Sequence, residues 1–194
     1  MHLAGPEDSR GMPAPSPRAA LVRLLQLAYS GERAAALAYH GHAASVRDPA
    51  TRDHIAKIEA EEIHHRELVG GMLAVLGEGP DPRRERRSNR IGKVLSALCR
   101  VTGYLAPMYG AGALESRNVK EYDDAAAYAV ACGHPEFVEC LVAMADVEWD
   151  HERWFRDRVE EHWLGRRLPL WKSPPPRPAR AVGSPGPALE RSAP

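Results

Sequence analysis

The sequence predicts an all-α protein built as a four-helix bundle, and three observations carry that prediction. Apolar residues recur at steps of three and four through four long stretches, the period of an amphipathic helix. Helix-start signals (Ser16-Pro17, Asp48-Pro49, Pro135) alternate with stop signals (Gly77, Gly79-Pro80, Gly133, Gly165). A lone Glu followed by Glu-x-x-His occurs twice. Glu32 precedes Glu62-Ile63-His64-His65 by 30 residues, and Glu115 precedes Glu148-Trp149-Asp150-His151 by 33. Each half therefore reads as a helix with one Glu, a turn, and a helix with Glu-x-x-His.

Residues 1–15 are rich in Gly and Pro and are expected to be a disordered arm. The bundle is expected over 16–165. Its first helix should run from Pro17 to Arg47, with an inward stripe of Leu21, Leu25, Ala28, Glu32, Ala35, Tyr39, His42 and Val46. Glu32 interrupts a mostly apolar line, and a buried carboxylate is costly unless paired or metal-bound. A second helix should run from Pro49 to Leu76. Glu61 and His64 also form a Glu-x-x-His there, but Ile55, Ile58, Val69, Met72 and Leu76 mark the core line, and positions 62 and 65 fall on it. His40 and His42 flank Gly41, and His42 is placed near the edge of the site.

Residues 78–90 read as a loop crowded with Arg83, Arg84, Arg86, Arg87 and Arg90, either a solvated connection or a contact with an anionic surface such as lipid headgroups. The third helix should start near Ser88 and end before Gly133, kinked or split at Gly103 and Pro107. Val101 to Leu114 carries no charge and is either core or a lid facing lipid or an apolar substrate. Glu115 follows, on a line with Ala111 and Tyr122. The fourth helix should run from Pro135 to Leu164, with Phe137, Leu141, Met144, Glu148, His151 and Phe155 inward. Residues 166–194, with Ser173-Pro174-Pro175-Pro176, are expected to be a disordered Pro-rich tail.

At 194 residues the chain is long enough for one sizeable core. Its formal net charge of zero gives no support to a nucleic-acid partner. Cys99, Cys132 and Cys140 form no Cys-x-x-Cys, which argues against a disulfide framework and a zinc or rubredoxin-type site and fits a reducing cytoplasm. No signal-peptide pattern opens the chain, and no apolar run reaches the ~20 residues a membrane span needs.

Glu and His three apart on a helix lie about 300° apart around its axis, so they point nearly the same way. One Glu from each of two helices and a Glu-x-x-His from each of two others is the ligand set of ferritin-like di-iron and di-manganese bundles. Glu32, Glu62, His65, Glu115, Glu148 and His151 are therefore the expected metal ligands and catalytic centre. Each metal would take one His and one terminal carboxylate, with two carboxylates bridging. Hard carboxylates with imidazole suit two iron ions, or manganese, and such a pair has open positions for dioxygen or peroxide. The oligomeric state is left open.

The motifs resemble those of the di-iron demethoxyubiquinone hydroxylases of ubiquinone biosynthesis. Gly31-Glu32 with Ala35, Tyr39 and Gly41 is similar to that family's Gly-Glu-x-x-Ala-x-x-x-Tyr-x-Gly. Glu62 with His65, Glu115 with Tyr122, and Glu148 with His151 match its remaining motifs over roughly residues 17–165. This chain has Glu121 where the family typically has His, and Gly110-Ala111-Gly112-Ala113-Leu114 where the family has a Met-rich, Cys-containing approach. The resemblance implies a monooxygenase, an oxidoreductase hydroxylating a quinone or hydroquinone ring with dioxygen. It implies electrons from NADH or a reductase, an apolar substrate, and a peripheral contact with the inner face of the membrane. Tyr39 and Tyr122 would support the ligands from behind. Two other readings stay open: a rubrerythrin-like peroxidase, against which Asn118 and the missing Cys-x-x-Cys both count, and a ferritin-like iron-binding and oxidising protein. A hydroxylase acting on a modified tRNA base is a further possibility, without support from the net charge.

Overall fold

The computed structural model describes residues 15–176, and within them the protein is an all-α helical bundle. Five long helices are present rather than four: α1 Pro17–Ser45, α2 Pro49–Val75, α3 Pro82–Cys99, α4 Leu105–Ala131 and α5 Val138–Glu161. Short 3-10 turns at Pro135–Phe137 and Gly165–Arg167 lead into and out of α5. α1 packs against α2, α4 packs against α5, and α1 also meets α4. These four form the bundle, and α3 lies on the outside of α1.

The start signals act as expected. Ser16 accepts a hydrogen bond from the Ala19 N–H, and Asp48 accepts one from Thr51 at 2.8 Å, each followed by Pro at the first helical position. α2 ends at Val75, and Gly77 adopts φ +70°, the left-handed conformation glycine takes without a steric penalty.

The arginine-rich loop expected at 78–90 is a correction: from Pro82 onward it is helix. Asp81 accepts hydrogen bonds from Arg83 N (2.8 Å) and Arg84 N (3.4 Å), with Pro82 at the first position. This is the Asp-Pro signal already used at Asp48-Pro49, here masked by the density of arginines. The helix is pinned by Arg66, which pairs with Glu85 at 2.6 Å, donates to the Tyr29 carbonyl and lies 3.6 Å above the Tyr29 ring. α3 approaches α1 so closely that a Cβ on Gly92 would meet the Ala34 backbone at 2.9 Å, and one on Gly41 would meet the Ser96 carbonyl at 2.3 Å. The third-helix span splits at residues 100–104, where Gly103 has φ +75°. Pro107 falls in the first turn of α4, where its missing N–H costs nothing.

The core is two apolar clusters. One joins Leu21 and Leu25 of α1, Val69 and Leu73 of α2, Ala126 of α4, and Leu141 and Met144 of α5. The other joins Ala35 and Tyr39, Ile55 and Ile58, Met108, and Phe155 and Val159. Glu32 sits between them on α1, as do Glu62 on α2, Glu115 on α4 and Glu148 on α5.

The tail expected to be disordered from 166 is a second correction. Residues 166–176 are placed, and Leu170 and Trp171 pack on the second cluster. These two apolar anchors and hydrogen bonds to α4 and α5 outweigh the Pro-rich composition. The arm at 1–14 and the tail at 177–194 lie outside the described residues. Among the described residues no helix is long and apolar enough to cross a membrane.

Candidate metal centre

Six polar side chains occupy the middle of the bundle. Glu62, Glu115 and Glu148 have no exposed surface, and Glu32, His65 and His151 are 3% exposed. Their donor atoms form two groups, each within 4.8 Å: Glu32, Glu62, His65 and Glu148, and Glu62, Glu115, Glu148 and His151. Glu62 and Glu148 belong to both groups. They thus stand between the other four, with Glu32 and His65 in one group and Glu115 and His151 in the other, and either group could hold a metal ion.

The donor chemistry fits this use. Glu32 Oε2, both carboxylate oxygens of Glu62 and His151 Nδ1 are buried without a hydrogen-bond partner. His151 Nδ1 lies 3.3 Å from Glu62 Oε1, but not in hydrogen-bond geometry. Leaving a buried carboxylate ionised and unpaired costs several kcal/mol, against a total stability of about 5–15 kcal/mol. Two such carboxylates beside an unpartnered imidazole, at one level of a bundle, need either protons or a cation.

The outer contacts hold the remaining atoms. Tyr39 donates its hydroxyl proton to Glu115, and Tyr122 donates to Glu32. Asn118 donates to Glu115 at 2.9 Å and to Glu148 at 3.3 Å, a neutral amide closing the acidic ring. His65 Nδ1 lies 2.9 Å from Glu148 Oε1.

The register reading for α2 needs one amendment. Positions 62 and 65 face inward and His64 faces solvent beside Glu67, but Glu61 is not idle on the flank. Its Oε2 lies 2.9 Å from His151 Nε2, and its Oε1 accepts from Lys57 Nζ at 2.6 Å. A carboxylate behind a ligating imidazole fixes the tautomer and leaves the other ring nitrogen, here Nδ1, for the metal. Charge pairing across two helices, rather than helix phase, makes Glu61 part of the site. The one sequence signal for it is its place immediately before Glu62.

His42 is buried, with Nε2 unpartnered, in the apolar cluster beside Phe155 and belongs to neither group. Burial lowers its pKa to about 4, so it is neutral at pH 7. Glu121 also belongs to neither group and lies 4.0 Å from Arg117.

Burial, reinforced by neighbouring carboxylates, raises the pKa of Glu32, Glu62 and Glu115 well above the ordinary 4.5. Burial also pushes Glu148 upward, but hydrogen bonds from His65 and Glu115 and the two imidazoles outweigh it and bring the group to about 2. The hydrogen bond from His151 brings Glu61 to about 2 as well. Without a cation, therefore, burial favours the protonated form of Glu32, Glu62 and Glu115, and a metal competes with protons for these carboxyls.

No protein-family model, no curated protein and no solved structure matches the chain.

Elemental analysis of the purified, reconstituted protein is expected to give about two iron or manganese ions per chain. Glu62→Ala and His65→Ala remove at least one of them. Glu61→Ala lowers affinity about 10–100-fold without abolishing binding, and His64→Ala leaves it unchanged. Equal loss in all four variants would contradict the assigned register.

The pH dependence has a definite sign. Carboxyls whose folded pKa is raised stabilise the metal-free fold fully only below the unfolded value of 4.5, and that contribution is lost as pH rises through the folded values. A bound cation removes this penalty. The difference in Tm between metal-loaded and metal-free protein should widen from pH 5 to pH 7.5, as scanning calorimetry would read. A constant gap would rule out proton displacement from these groups.

Proposed function

We propose that the protein is a di-iron monooxygenase that hydroxylates a quinone-type ring with dioxygen. The observation that carries this reading is the pair of four-residue groups sharing Glu62 and Glu148. Two irons held there would supply the electrons that split the O–O bond. In the overall reaction one oxygen atom enters a ring C–H bond to give C–OH, and the other leaves as water. Two electrons, from NADH or a reductase, and two protons complete the balance.

The chain's own residues would do the rest. Glu62 and Glu148, common to both groups, would serve both ions, and Glu32 with His65, and Glu115 with His151, would complete one site each. Tyr39 and Tyr122 hold the terminal carboxylates by their hydroxyls, and Glu61 orients the His151 ring. The two apolar clusters keep bulk water from both ends of the centre. The choice of a quinone rests on the resemblance of the α1 motif at Gly31–Gly41 and of Glu115 with Tyr122 to the demethoxyubiquinone hydroxylases.

A contact with an anionic membrane surface goes with an apolar substrate, and α3 supports it. Arg83, Arg86, Arg87 and Arg90 are exposed on its first half, and Ile91, Val94, Leu95 and Leu98 are 39–57% exposed on its second. Cationic and apolar residues on one unpacked helix surface suit a lipid interface.

A second reading is favoured by one observation. Every ligand is at most 3% exposed, which suits a small oxidant better than an organic ring. On that reading the centre is a rubrerythrin-like peroxidase or a ferritin-like iron-oxidising site.

Incubation of the iron-loaded, reduced protein with a demethoxy-quinone, NADH and dioxygen decides between them. Mass spectrometry should find a product heavier by one oxygen atom, absent in Glu148→Ala. Rapid peroxide turnover without ring product would favour the peroxidase instead.

Vesicle co-sedimentation tests the membrane contact. Binding to vesicles rich in phosphatidylglycerol should fall on the order of a hundredfold when Arg86, Arg87 and Arg90 become Gln, at about 1 kcal/mol per charge removed. Equal binding to neutral phosphatidylcholine vesicles would remove the electrostatic part of the reading.

A further inference from the structure

We propose that the seat of Trp171, in the groove between α4 and α5 over Gly112, is a binding site for a planar apolar ring with an O–H or N–H donor on its edge. Residues Leu168–Ser173 are the lid that occupies it. The inference rests on the reading that an organic ring must approach the buried centre.

The seat is shaped for a ring. A Cβ on Gly112 would fall 2.2 Å from Trp171 Cζ2 and 2.4 Å from Cη2, so no side chain fits there while the indole is in place. Tyr109 meets the indole edge-on at 5.2 Å, and the Arg156 guanidinium lies 4.9 Å from its centre. The indole N–H donates to Glu152 Oε1 at 2.7 Å. An aromatic wall, a cation over the ring face and a buried carboxylate at the ring edge would hold a phenol or hydroquinone as well as an indole.

The seat adjoins the metal centre. Gly112 is one helical turn before Glu115. The same Cβ position would lie 3.1 Å from Phe155, which stacks on Tyr39 at 5.6 Å, and Tyr39 hydrogen-bonds Glu115.

Lifting the lid leaves no buried charge stranded. Glu152 and Arg156 pair within α5 at 2.6 Å and remain paired when Trp171 leaves. The other side-chain ties are Tyr109 Oη to the Pro169 carbonyl (2.5 Å), Ser116 Oγ to the Lys172 carbonyl (2.7 Å), Arg156 to the Trp171 carbonyl (3.1 Å) and Ser173 Oγ to Glu152 Oε1 (3.5 Å). Water replaces each of these at little net cost. An open pocket of about 480 Å³ lies beside the start of the segment, lined in part by Glu160, Leu168 and Leu170. Only a part of the molecules has the seat free at any moment, so the lid competes with a ligand by the fraction of time it is closed.

The test uses full-length, metal-free protein with the fluorescent ring 2-naphthol, and with 2-methoxynaphthalene, which lacks the donor. Trp171→Ala should bind 2-naphthol about tenfold tighter than the parent. Adding Gly112→Leu, which fills the seat, should abolish the gain, and 2-methoxynaphthalene should gain less. No gain in Trp171→Ala, or a gain that survives Gly112→Leu, overturns the proposal. A second measurement needs no variant. Saturating 2-naphthol should speed tryptic cleavage of the parent after Arg167 several-fold by holding the lid open, and an unchanged rate overturns it. Neither readout involves iron or dioxygen. Ring binding without hydroxylation would therefore sink the proposed reaction and leave the seat standing. Hydroxylation with no effect of Trp171 would do the reverse.

Discussion

Four carboxylates and two imidazoles are buried at one level of this bundle, and the rest of the structure is arranged around that cost. An apolar core alone would expel such groups. They stay because each comes from a helix whose flanking turns are anchored in apolar clusters on both sides. On α1, Leu21 and Leu25 pack on one side of Glu32, and Ala35 and Tyr39 on the other. The helices cannot rotate Glu32 or its counterparts into water without unpacking both clusters at once. At roughly 1.5–3 kcal/mol for each large apolar side chain, burial can hold the ring together. It cannot make the ring electrically comfortable, and cations or protons must do that.

The buried ring is supported from behind by groups that each settle one degree of freedom. Tyr39 and Tyr122 reach from α1 and α4 to carboxylates on the other helix of that pair, Glu115 and Glu32, and so tie the two halves across the centre. Asn118 spans Glu115 and Glu148 without adding charge. Glu61, itself held by Lys57, sets the His151 ring. Within the ring, the buried carboxylate oxygens left without partners belong to Glu32 and Glu62, where a cation would satisfy them; outside it, Glu152 Oε2 on α5 is buried in the same way.

Two elements outside the four-helix core give the centre its surroundings. α3 is pinned to the bundle through Gly41, Gly92 and the Arg66–Glu85 pair, and turns its arginines and aliphatic residues outward. The segment after α5 closes the α4–α5 groove near Glu115 through Trp171. Both departed from the expectation of loop and disorder. In each case composition pointed one way and a few specific contacts decided otherwise: an Asp81 cap beneath the arginines, and an indole seated on Gly112 beside the prolines.

Much of the fold and the candidate site was legible in the order of residues alone. Helical period, Ser-Pro and Asp-Pro starts and glycine stops are local, and they placed α1 and α2 to within two residues and the body of α5. The inward position of the six candidate ligands followed from the same period, because a residue's face on a helix depends only on its neighbours. Which carboxylates are shared did not follow. Glu62 and Glu148 stand between the two groups because of how α2 and α5 oppose one another, a relation between helices that no single helix encodes. Glu61 was set aside for the same reason: its phase on α2 points to the flank, and only the approach of His151 on α5 gives it a partner. The seating of Trp171 in a groove 59 residues away in the chain, at Gly112, likewise depends on packing between distant segments, where a missing side chain matters only because of what comes to fill its place.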